Sequence, residues 1–257
     1  MYDLALGQGA FPMSDAIGRP AAAATFLQAR FFFVMSLVIA AVVVYGFSHT
    51  INANLIHPVQ PAVARPLLLW VHGATFGSWV ALFVAQTGLV ATRNVHLHKR
   101  LGLFGLVLGA AVIVVGVSTT IVMMRFRALN PSPGDDAAFA SVPLNDITAF
   151  TVLFATGAAL RWRNREAHRR LMYMATCVLT AAAWGRFPTS ILPDGWFYAG
   201  VDALVLIGVA RDLVVMRRVH AVYLYGLPVI VAGQAAALAL IATRPPWWLA
   251  AVHAVVG

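Results

Sequence analysis

Two histidines, each opening a short basic phrase, are the residues of this chain best suited to chemistry. His98-Lys99-Arg100-Leu101-Gly102 returns 70 residues on as His168-Arg169-Arg170-Leu171-Met172. A neutral imidazole is a good ligand for iron or zinc. The arginines beside it are suited to carboxylates, which a guanidinium binds through two parallel hydrogen bonds. Each phrase stands at the foot of a long apolar segment. Repeated phrasing at equivalent places reads as a duplicated helical hairpin, with two imidazoles at a matched depth where a cofactor could bridge them.

Other polar residues fall inside apolar segments, where burial in lipid is costly and a partner or a task is expected. His72, Gln86, Asp146, Arg186 and Asp202 form this intramembrane set. His72, Trp79 and Gln86 recur every seven residues, close to two helical turns, so they line one stripe. His168 and Arg186 are five turns apart, roughly 27 Å along one face of a continuous helix. Arg186 calls for a carboxylate, and Asp146 or Asp202 lies at the matching depth. Gly73 with Gly77, and Gly105 with Gly109, have the four-residue spacing that lets helices approach closely. Asp212 and His220 could add a carboxylate and an imidazole to the two repeated histidines, but no close-spaced ligand pair accompanies them. No HExxH, GxSxG, phosphate loop or dinucleotide fingerprint is present. No nucleophile–base pair stands out either, so no catalytic residue is assigned. The sole lysine, Lys99, is in the wrong segment to form a retinal Schiff base.

Positioning these groups falls to membrane helices. Hydrophobic residues make up 61% of the 257 and charged residues 11%, against roughly 45–50% and about 25% in soluble domains. The composition predicts an all-α polytopic bundle of about seven transmembrane helices, near 30–48, 66–91, 101–124, 146–162, 168–191, 197–216 and 220–242. Residues 1–29 read as a cytoplasmic arm, 30–242 as the membrane domain and 243–257 as an outer interfacial tail. The basic residues gather in alternate connections: Arg93, Lys99 and Arg100; Arg161 to Arg170; and Arg211, Arg217 and Arg218. By the positive-inside rule these face the cytoplasm, which places the N-terminus inside. Spread along short loops, the net charge of +9 is a topology signal, not a nucleic-acid surface. A bacterial cytoplasmic (inner) membrane is the expected location and the lipid bilayer the first partner. Cys177, the single cysteine, makes no intramolecular disulfide.

The stretch LLLWVHGATFGSWVALFVAQTGLVATRNVHLHKRLGLFG, with AFASVPLNDITAF and EAHRRLMYMATCVLTAAAWGR, resembles a family of uncharacterised bacterial multi-pass membrane proteins. That likeness covers most of residues 30–250 and implies no activity. More distantly, His72-Gly73, Trp79, Arg93 and His98, in that order, resemble the transmembrane di-haem b-type cytochromes. The resemblance implies ligands paired between alternate helices, here His98 with His168. It implies one haem b only, since the fourth segment has no histidine to pair with His72. Arg100, Arg169 or Arg170 would then hold the propionates, and electron transfer with a quinone or another membrane redox protein would follow. The residues also admit a small-solute or proton transporter, built on the His72–Gln86 stripe with Asp146, Asp202 and Arg186. A structural or assembly subunit of a larger membrane complex is the third class they admit.

Overall fold

Backbone N–H and C=O groups in lipid must be satisfied within their own segment, which leaves helices as the economical solution for such apolar runs. The computed structural model describes residues 22–56, 66–131 and 136–256, and among these the chain is helical with no strand. In chain order the helices are α1 (Ala22–Ile56), α2 (Leu67–Ala91), α3 (Val95–Leu129), a 3-10 turn (Ala137–Ala140) and α4 (Ser141–Leu160). There follow α5 (Arg165–Val178), α6 (Ala181–Trp184), α7 (Phe197–Met216), α8 (Ala221–Thr243) and α9 (Pro246–Val256). Residues 1–21 of the expected arm, Arg65, and 132–135 of the turn-rich loop lie outside the described residues. Among the described residues, five stretches are long and apolar enough to cross a membrane: Arg30–Ser48, Leu67–Ala91, Val95–Leu129, Ala137–Leu160 and Ala221–Thr243.

The starts of α3 and α4 lie earlier than the apolar pattern places them. Asn94 caps α3 by accepting from Leu97 N at 3.3 Å, so the helix begins at Val95 and not near 101. Pro143 sits in the first turn of α4, where its missing N–H costs nothing, so that helix starts ahead of 146.

The segment expected at 168–191 is not one helix. After Val178 the chain turns at Leu179–Thr180, where the Thr180 hydroxyl donates to Cys177 O at 2.6 Å. The short α6 ends at Trp184, and Arg186 lies beyond it. A single helical face from His168 to Arg186 therefore does not exist. The segment expected at 197–216 is a full helix, α7, with Asp202, Arg211 and Asp212 in it.

The core forms around α5. Tyr173 to Val178 are buried without a break, which marks a helix enclosed on all sides. Phe31, Met35 and Ile39 of α1, Trp79 of α2, Phe150 and Phe154 of α4, Val205 of α7 and Tyr223 of α8 enclose it. Trp79 stands edge-on to Phe150 at 5.2 Å and Phe154 at 5.4 Å, and its indole N–H donates to Thr176 at 3.3 Å. Glycines set some of these approaches. A Cβ at Gly109 would run into the Phe154 ring, and one at Gly105 would meet Leu82 at 3.4 Å. Gly73 and Gly77, despite their spacing, face open space. Their small-residue pair brings no helix close among the described residues.

Candidate functional site

Both repeated phrases fold as the same corner. Asn164 accepts from Ala167 N at 2.9 Å, as Asn94 does from Leu97 N, so each phrase is preceded by an asparagine N-cap. His98 N donates to Asn94 O at 3.1 Å and His168 N to Asn164 O at 2.9 Å. Each imidazole is thus the fourth residue of its helix. The sequence carries this signal upstream of the histidines, as Arg93-Asn94 and Arg163-Asn164, again 70 apart. It escapes notice because an Arg-Asn pair has no chemistry of its own.

His98 and His168 stand at equivalent corners, at the feet of α3 and α5. His168 Nδ1 lies 2.8 Å from Gly157 O. A carbonyl only accepts, so Nδ1 carries the proton, and the lone pair of the neutral ring is on Nε2. Gly157 O belongs to the last turn of α4, which leaves carbonyls without helical partners; His168 supplies one. His98 is held by Gln86. With its amide nitrogen toward α3, Gln86 donates to His98 Nδ1 at 2.7 Å and His98 O at 3.2 Å, and accepts from Gly102 N at 2.9 Å. A Cβ at Gly102 would meet Gln86 at an ordinary contact of 3.6 Å, whereas one at Gly157 would press on the Met172 methyl at 2.7 Å.

The arginines of the phrases diverge. Arg170 is wholly buried and its five N–H donors all find acceptors. Nε and Nη2 grip Asp212 at 2.8 and 2.7 Å, and Nη2 also reaches Met216 Sδ at 2.9 Å. Nη1 donates to Glu166 O at 2.9 Å and to its carboxylate at 2.7 Å. Arg211 adds a bond to Asp212 at 2.8 Å. Arg169 pairs with Glu166 and lies 5.2 Å over the Phe32 ring. Arg100 is exposed. Two residues beyond His98, it points about 200° around the helix from the imidazole. Neither Arg170, with no donor left, nor Arg100, on the far side of α3, is placed to bind a carboxylate near the histidines. Arg161 is the cation that acts on His168. Nearby, His220 caps α8 by accepting from Val222 N at 3.2 Å. Burial first, and then the Arg170 charge, hold its pKa below the usual imidazole value. Among the described residues no three or more His, Cys, Asp or Glu side chains converge as a metal site.

The remaining polar residues of the apolar segments form separate contacts. His72 stacks on Phe76 at 4.0 Å, its Nδ1 buried and without a partner. Arg186 acts on His72 electrostatically, donates to Ala182 O and lies 4.4 Å over Phe47. Asp146 accepts from Tyr198 at 2.9 Å and Asn145 at 3.2 Å, and Asp202 from Gln234 at 3.0 Å. Tyr198, Asn145 and Gln234 have no sequence signal, since neutral polar residues are ordinary in membrane helices until a partner is seen. Compared with known proteins, the chain matches no family model, no curated protein and no solved structure.

Proposed function

We propose that the chain is a seven-span membrane protein of a bacterial inner membrane, N-terminus inside, that holds one haem b between His98 and His168 and passes electrons. On this reading the broken α5–α6 segment and α7 supply the two spans beyond the five apolar ones. The carrying observation is that the two imidazoles occupy equivalent corners at the feet of α3 and α5, each with Nδ1 engaged by a partner. Partners on one ring nitrogen orient a histidine for ligation through the other. His168 already has its Nε2 lone pair available. His98, whose Nδ1 accepts from Gln86, carries its proton on Nε2, and would present an Nε2 lone pair only after that proton moves to Nδ1 and the Gln86 amide gives up its bonds to His98 O and Gly102 N. His98 and His168 would hold the haem, and Arg161 would be the cation to pair with its carboxylates. The haem would supply a one-electron couple suited to electron transfer. A quinone or a second membrane redox protein is the fitting electron partner.

A reduced-minus-oxidised visible spectrum of the purified protein tests the reading. Soret and alpha bands are expected, lost in both His98→Ala and His168→Ala. A folded protein without the bands, or bands that survive either substitution, refutes it.

A further inference from the structure

We infer that the foot of α3 binds an anionic phospholipid, its phosphate on Lys99 and Arg100 and its acyl chains along the same helix face. This is independent of whether His98 and His168 hold a haem. Lys99, Arg100, Leu103, Phe104 and Val107 are all exposed. At 3.6 residues per turn they fall within a sector of about 140°, with His98 on the opposite side. Two cations therefore cap an uninterrupted apolar stripe, the pattern of a lipid molecule with its headgroup at one end.

The cations are placed, not loose. Lys99 lies 5.6 Å over the ring of Trp162, whose other cation neighbour is Arg161 at 5.5 Å. Arg161 is itself tied to Ala158 O at 2.6 Å. Trp162 is 62% exposed, and an exposed indole at a helix end belongs at the headgroup level of a bilayer. Comparison with the second phrase identifies what Arg100 lacks. Arg170, at the same place, has the Asp212 and Glu166 carboxylates on its guanidinium. Arg100 has no such partner among the described residues. The anion available to an outward guanidinium at that depth is a lipid phosphate, and arginine suits phosphate as it suits carboxylate.

Native mass spectrometry of the purified protein, titrated with phosphatidylglycerol and separately with zwitterionic phosphatidylethanolamine, tests the inference. Phosphatidylglycerol should bind in preference, and Lys99→Gln and Arg100→Gln should each weaken it roughly fivefold, as expected for one cation at an anionic surface. Both sites are exposed, so the variants should fold, which a thermal melt checks. The double variant Arg217→Gln/Arg218→Gln removes two exposed charges from another connection and should leave binding unchanged. Equal binding of the two lipids overturns the inference. So does an equal loss in the Arg217/Arg218 variant, which would mean diffuse attraction to the basic surface.

Discussion

Arg100 and Arg170 occupy one place in a repeated phrase and meet opposite fates, so residue type alone does not assign their roles. The phrase is legible because His-basic-Arg-Leu recurs at a fixed interval. The partner is not, because Asp212 lies 42 residues from Arg170 and nothing local couples them. Removing one member of a wholly buried ion pair leaves an uncompensated charge, a cost of about 3–5 kcal/mol. Asp212→Ala should therefore unfold at much lower denaturant in detergent, whereas Arg100→Gln should leave the midpoint where it was. A small effect of Asp212→Ala would mean that water reaches the cluster. The recurrence of His98 and His168 was legible, but Gln86 and Gly157, which set their ring orientations, show only in three dimensions.

Helices pack here by contacts that spacing does not reveal. Gly73 and Gly77 have the right interval and face open space, while Gly46, with no such partner, lies against the backbone of α6. A Cβ at Gly46 would collide with the Ala183 carbonyl oxygen and approach its carbon at 2.9 Å. Backbone cannot rotate away as a side chain can. Gly46→Ala should cost about 1–3 kcal/mol through overpacking, and Gly73→Ala should cost nothing or gain up to about 1 kcal/mol of helix propensity. Chemical unfolding of the two variants side by side measures this, and equal midpoints would contradict the α1–α6 approach. The same limit applies to the segment at 168–191. Its apolar run is continuous, so periodicity reads one helix, yet the chain turns at Leu179–Thr180 without glycine or proline.

At the scale of the whole molecule, sidedness rests on the distribution of arginines. The only cysteine, Cys177, is buried, so the unmodified protein should be silent to a membrane-impermeant maleimide. Arg218→Cys should then label only from the cytoplasmic face of oriented vesicles, and Trp247→Cys, whose site is exposed, only from the other. The reverse pattern would turn the bundle over. Helical class, membrane-compatible apolar helices and the recurrence of two histidine corners followed from the sequence by itself. They depend on composition, charge placement and local spacing, which act within a few turns of chain. Only the tertiary structure decided which arginine is buried, where α5 breaks and which glycines meet another helix. Those depend on groups far apart in the chain and on side-chain volumes that must fit together. One phrase can thus anchor a core through Arg170 and leave Arg100 exposed.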